Sequence, residues 1–147
     1  ETGSGKIVDQ IKARAGNVVK EYRAKWSNMG VGCPVIATLN GANFAVLVTE
    51  PTPSGFADLK RVLTVVNHFQ IPFGVVINKW DINPSTALRI EKWVLRLAPL
   101  AQDKFLGKIG YDKMIFQAIA QLKPILKTNL PAKKEIKAIY QNLLTIL

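Results

Sequence analysis

The chain has 147 residues, enough for one domain with its own core. Twenty Lys and Arg against ten Asp and Glu give a net charge of +10, and 48% of the residues are hydrophobic against 20% charged, which excludes a disordered chain. The apolar runs are short and broken by Lys, Asn, Pro and Gly, so none is a transmembrane helix.

The single cysteine, Cys33, excludes an internal disulfide and any three- or four-cysteine metal or iron–sulfur site built from this chain alone. The lack of a cysteine framework points to a reducing, cytoplasmic compartment. The chain opens on Glu1 rather than Met and shows no signal-peptide pattern, which leaves open a fragment or a processed chain.

Ile7, Val8, Ile11, Ala15, Val18, Val19 and Tyr22 recur at helical spacing and predict a helix over 5–25. Trp26–Pro34 is a glycine-punctuated loop containing Gly30 and Gly32, and a short helix is expected over about 34–40. Phe44–Thr49 is apolar at almost every position, which predicts a strand buried on both faces, as in a parallel sheet. Glu50–Gly55, with two prolines and a glycine, is the loop at its carboxyl end. Leu59, Val62, Leu63, Val66 and Phe69 line one face of a helix over 55–69, with Ser54 as the expected N-cap. Pro72 stops that helix, and Phe73–Ile77 is a second buried strand running into Asn78-Lys79-Trp80-Asp81. A helix over about 84–98 carries Leu88, Trp93, Leu95 and Leu97. A third strand at Phe105–Ile109, a loop at Gly110–Asp112 and helices over about 112–121 and 132–146 complete the chain.

Alternating strands and helices predict an α/β fold with a mainly parallel sheet and helices on its faces. Ligands of such sheets sit beyond the carboxyl ends of the strands. Those ends carry Glu50–Gly55, Asn78–Asp81 and Gly110–Asp112. The best chemical signal is the N-K-x-D tetrad Asn78-Lys79-Trp80-Asp81. An Asn amide offers both a donor and an acceptor to a base edge. A Lys stem can lie along a ring while its ammonium reaches outward. An Asp can accept from base N–H groups or pin the loop.

The tetrad does not stand alone. Gly30–Thr38, Gly41-Ala42, Val46–Gly55, Asp58–Val62, Phe69–Pro72, Val76–Asn83 and Leu106–Asp112 together resemble, in the right order, the MinD/ParA-like P-loop ATPases. The resemblance is to the subgroup with a ferredoxin module inserted after the P-loop half, and it covers about residues 3–125. It implies a single domain over 1–147: the C-terminal portion of a nucleotide-binding domain, a partial P-loop three-layer α/β/α sandwich. It implies base-binding roles for Asn78, Lys79, Asp81, Tyr111 and Asp112, and a switch-like loop at Gly30 and Gly32. The ligand implied is ATP or ADP.

The departures from the family are chemical. Gly3-Ser4-Gly5-Lys6 is not a phosphate-binding loop, because Ile7 follows the lysine and no strand precedes it. At 16–29 the family has a buried strand ending in a magnesium-organising Asp and then a Pro-Pro-Gly switch. Here Trp26 or Ser27 falls near that Asp, and Asn28 and Met29 replace the prolines. Phosphoryl transfer needs a phosphate-binding lysine and a held Mg²⁺. The chain alone is therefore not expected to hydrolyse ATP, and Mg²⁺ is expected only if a partner segment supplies ligands. In the family fold the strand matching 43–49 lies beside the P-loop strand. An unpaired apolar edge invites pairing, so the expected partner is a second copy or a related ATPase chain. The competing reading is a non-enzymatic module that pairs with a full-length ATPase relative.

Other signals read plainly. Cys33 reads as a small packed residue at a turn, His68 as a helix residue without ligand spacing, and Asp58 as a helix-start acid. Eight of the Lys and Arg fall in 102–147 with three acids, but no nucleic-acid motif accompanies them. The amphipathic helix ending at Leu147 carries Ile136, Ile139, Tyr140, Leu143 and Leu144 on one side. It is expected to pack on the sheet rather than on a membrane.

Overall fold

The computed structural model describes residues 33–39, 41–97 and 105–147. The helix expected over 5–25 and the loop holding Gly30 and Gly32 lie outside the described residues. The described order is α1 (Cys33–Leu39), β1 (Ala45–Thr49), α2 (Pro53–His68), β2 (Phe73–Asn78), a 3-10 turn (Trp80–Ile82), α3 (Pro84–Arg96), β3 (Phe105–Ile109), α4 (Lys113–Ala120), a second 3-10 turn (Ile125–Lys127) and α5 (Pro131–Ile146). The fold is α/β, and the strands among the described residues form one three-stranded parallel sheet of order β1-β2-β3.

The chain divides into two compact units. Among the described residues, one takes 33–39 and 41–45 together with Asp58–Pro72. Among the described residues its buried side chains include Ile36, Leu39, Ala45, Leu59, Leu63, Val65, Val66 and Ile71. The four from α2 fall at helical spacing, so this helix buries one stripe, as its apolar pattern requires. Gln70, left-handed at φ 55, turns the chain, and the Ala45 N–H donates to the Pro72 carbonyl at 2.9 Å.

The other unit takes Val46–Ala57 and Phe73–Leu147. Phe73, Val75, Val76 and Ile77 of β2 are all buried, as an apolar central strand should be. Gly74 is the small residue that lets β3 close in. A Cβ there would stand 2.6 Å from Cγ and Cδ1 of the buried Leu106. β3 carries an irregularity: Val75 pairs with Phe105 but Val76 pairs with Gly107. The extra residue is accommodated by Gly107 at φ 146, where only glycine is at ease. A Cβ at Gly107 would stand 2.7 Å from Ile139 Cγ1, so the bulge is also where α5 approaches most closely. Asn142 Nδ2 donates to the Leu106 carbonyl at 2.8 Å, tying α5 to β3. The final helix thus packs on the sheet, as its amphipathic pattern implied.

Two expectations need correction. β1 is not buried on both faces: Val46 and Val48 are 45% and 63% exposed while Ala45 and Thr49 are buried. Its burial alternates with the period of a half-covered strand, and valines serve a strand whether or not both faces are covered. The helix after β1 starts two residues earlier than expected, at Pro53, and Ser54 does not cap it. Thr52 Oγ1 accepts from the Gly55 N–H at 2.9 Å instead, and Pro53 fits the first turn because its missing N–H would have no partner there. On α3 the buried stripe is Ala87, Ile90 and Val94, whereas Leu88, Leu95 and Leu97 are exposed.

Candidate functional site

The site is assembled from the loops after the three strands, all within the second unit. The loop after β1 is a closed turn. The Thr52 N–H donates to the Glu50 carbonyl at 2.8 Å, Thr49 Oγ1 donates to the Gly55 carbonyl at 3.0 Å, and Pro51 is fully buried. Gly55 lies directly against the turn, since a Cβ there would stand 2.6 Å from the Glu50 carbonyl oxygen. The backbone that carries Glu50 is therefore fixed.

The loop after β2 begins at Asn78, whose backbone pairs in register with Ile109 of β3. Asn78 is half-buried, and its side-chain amide has no hydrogen-bond partner among the described residues. Lys79 follows in the left-handed conformation, φ 53 and ψ 43. For a residue with a Cβ that conformation costs about 1–2 kcal/mol. Its side chain crosses to the first loop, where Nζ donates to Glu50 Oε1 at 2.7 Å. Both side chains are partly exposed, so the pair adds little to global stability. The hydrogen bond that Lys79 donates to Glu50, and then the Glu50 charge, hold the Lys79 ammonium above the ordinary lysine value of 10.5; desolvation opposes them, and Tyr111 adds a smaller upward contribution.

The loop after β3 is clamped by two carboxylates. The Gly110 N–H donates to Glu135 Oε2 of α5 at 3.0 Å, and the Tyr111 N–H donates to Asp81 Oδ1 at 2.7 Å. Asp81 is exposed, yet one of its oxygens is committed to the loop. Asp112 caps α4, accepting from the Met114 N–H at 2.8 Å. Behind the tetrad, the Lys108 ammonium lies 5.2 Å from the centre of the Trp80 ring and pairs with Glu91 Oε2 at 3.0 Å. A cation over an indole face is attractive, and this contact steadies the third member of the tetrad.

Of the residues singled out from the sequence, the structure brings Lys79, Asp81 and Tyr111 together, with Asn78 beside them. Asp112 is engaged in its own helix. Glu50, Glu135 and Lys108 are additions. Glu50 was visible as the one acid in the loop at a strand's carboxyl end. Glu135 was visible as the one acid among Lys133, Lys134 and Lys137. Neither carries a local pattern that names its partner, which lies 29 residues away for Glu50 and 25 for Glu135. The other marked residues have ordinary places: His68 meets Phe69 edge-on at 5.6 Å, and Asp58 pairs with Arg61 at 2.9 Å. Among the described residues no group of three or more His, Cys, Asp or Glu is placed to hold a metal ion, and no helix is long and apolar enough to cross a membrane.

No family model matches the chain. It is 37% identical to the uncharacterised protein MJ0578 of Methanocaldococcus jannaschii over 87 residues, which is 56% of this chain and 30% of that protein. It is 30% identical to the uncharacterised protein MJ0579 of the same organism over 129 residues, 88% of this chain and 42% of that protein. The chain thus spans less than half the length of the curated relatives it matches. Among solved structures it is similar to a Borrelia burgdorferi protein assigned to plasmid partition and solved bound to AMPPNP. The TM-score is 0.56 and the identity 18%, over 76% of this chain and 44% of that one. Over three quarters of its length, the chain has the α/β fold of that nucleotide-bound protein.

Proposed function

We propose that this chain is the base-recognition half of an adenine-nucleotide site, within the C-terminal portion of a MinD/ParA-like, ferredoxin-associated ATP-binding protein. The observation that carries the reading is the half-buried Asn78 amide, unpartnered among the described residues, at the end of β2 beside Lys79, Asp81 and Tyr111. Its N–H donor and carbonyl acceptor match the N7 acceptor and the N6 amino donor of adenine, as they do where Asn reads adenine elsewhere. Guanine would instead present two donors suited to a carboxylate. Asp81 Oδ1 already accepts from the Tyr111 N–H, which weakens that alternative. The AMPPNP bound to the structurally similar Borrelia protein supports a nucleotide, since AMPPNP is an ATP analogue.

The phosphates and Mg²⁺ would be held by another segment or chain, and this chain alone would not hydrolyse ATP. Calorimetric titration with ATP, ADP and GTP, with and without Mg²⁺, tests the reading. Adenine nucleotides should bind, GTP more weakly, and Asn78→Ala should weaken ATP at least fivefold, the loss of about one hydrogen bond. No binding at millimolar ATP would overturn it.

One observation favours a second reading, a non-enzymatic module that pairs with a full-length ATPase relative or a second copy. β1 is an edge strand among the described residues and exposes Val46 and Val48. Such edges are templates for another strand. Concentration-dependent association that is lost in a Val46→Lys/Val48→Lys chain would support it.

A further inference from the structure

We infer that Glu50 is a positioning residue of the nucleotide site, tethering Lys79 so that the Asn78–Asp81 loop is held ready for the base. The inference rests on the adenine-nucleotide reading above and adds a residue from a different loop.

Four observations carry it. Lys79 holds a left-handed conformation that a lysine adopts at a cost, so something outside the residue maintains it. Its ammonium lies 2.7 Å from Glu50 Oε1. Glu50 is presented from a backbone that cannot easily move: Pro51 beside it is fully buried, Thr52 closes on its carbonyl, and Gly55 abuts the same oxygen. Finally, the far end of the lysine loop is pinned by Asp81 to the Tyr111 N–H. The Asn78–Asp81 loop is thus fastened at two points, to the β1 loop by Lys79 and to the β3 loop by Asp81. The Asn78 amide, unpartnered among the described residues, stands next to the first of these points.

A tether of this kind acts through population. If Glu50 is neutralised, the left-handed turn loses its outside support and its share falls about two- to fivefold, the most an exposed ion pair can contribute. Apparent affinity falls by the same factor, because only that share is competent to bind. Glu50 itself need not touch the nucleotide. The pair is too exposed for its loss to unfold the chain.

Glu50→Gln keeps the shape and removes the charge, so it tests the tether with little risk to folding. In the free chain, NMR should show the Lys79 ammonium titrating nearer the ordinary lysine range and the Tyr111 amide exchanging faster. The melting temperature should stay within a degree or two, about what loss of a surface ion pair produces. Calorimetry should show ATP binding weakened about two- to fivefold. The charge-reversed pair Glu50→Lys/Lys79→Glu should restore slow exchange at Tyr111, which a merely structural role for Glu50 would not do. Unchanged Lys79 titration and Tyr111 exchange in Glu50→Gln would overturn the tether. So would a Glu50→Gln chain that binds ATP as well as the unmodified one. If the free-chain changes appear but the unmodified chain binds no ATP, the nucleotide reading fails, and with it the positioning role assigned to Glu50.

Discussion

Replacing Gly55 by Ala places one methyl group in the turn that presents Glu50. Its Cβ would stand 2.6 Å from the Glu50 carbonyl oxygen, 3.0 Å from Thr52 Oγ1 and 3.3 Å from Thr49 Oγ1. A carbon and a carbonyl oxygen meet comfortably at about 3.3 Å or more, so the turn must open by roughly 0.7 Å. Because the nearest atom is backbone, no rotamer change relieves the overlap. Overpacking of this kind costs about 1–3 kcal/mol. Alanine in a helix recovers at most about 1 kcal/mol relative to glycine. The net expectation is a loss of about 1–2 kcal/mol, and at about 2–4 °C per kcal/mol for a chain of this size the melting temperature falls by roughly 2–8 °C. Urea unfolding followed by tryptophan fluorescence reads the change, and it includes a local reporter, since the Trp93 ring meets Phe56 edge-on at 5.2 Å. The same substitution should loosen the Lys79–Glu50 contact and return the Lys79 titration toward the ordinary range. A Gly55→Ala chain as stable as the original, with Lys79 unaltered, would show that the turn is not closed against Glu50 and refute the reasoning.

Other consequences can be checked on the same protein. Lys79 binds its proton more tightly folded than unfolded, so its contribution to stability is fully present below 10.5 and disappears as pH rises through the higher folded value. Urea midpoints across that alkaline range should show this fall, and Glu50→Gln should flatten it. Gly74→Ala should cost about 1–3 kcal/mol through overlap with Leu106, and Leu106→Ala about 2–5 kcal/mol through the cavity it leaves. The double variant should lose less than the sum by about 1 kcal/mol or more, because the new methyl enters the vacated space, and denaturant cycles measure this coupling. Leu122 closes α4 in the left-handed conformation, φ 53, while 91% exposed. Leu122→Gly should stabilise the chain by up to about 1 kcal/mol, read as a rise in melting temperature.

The three strands and the loops beyond them were legible because each strand is a short apolar run bounded by Gly, Pro or Asn, and because the chain alternates helix and strand. The tetrad was legible because its four residues are contiguous. What was not legible depends on distance in sequence. The run Phe44–Thr49 gives the same pattern whether one face or two are covered, so the exposure of Val46 and Val48 could not be read from it. The N-cap slipped from Ser54 to Thr52 because both hydroxyls flank a proline that a first helical turn accepts. On α3 the large leucines drew attention, yet the buried stripe is Ala87, Ile90 and Val94. Glu50 and Glu135 entered the site only when the fold joined them to Lys79 and Gly110. The two roles open to Asp81 were narrowed by one hydrogen bond, from the Tyr111 N–H.

The most direct test of the central claim is amide NMR of the chain titrated with ATP and, separately, with GTP. The account predicts ATP-induced shifts concentrated at Asn78–Asp81 and Gly110–Tyr111, weaker with GTP and strongly reduced by Asn78→Ala. Shifts confined to the lysines of α5, such as Lys133, Lys134 and Lys137, or no shifts at millimolar ATP, would contradict it.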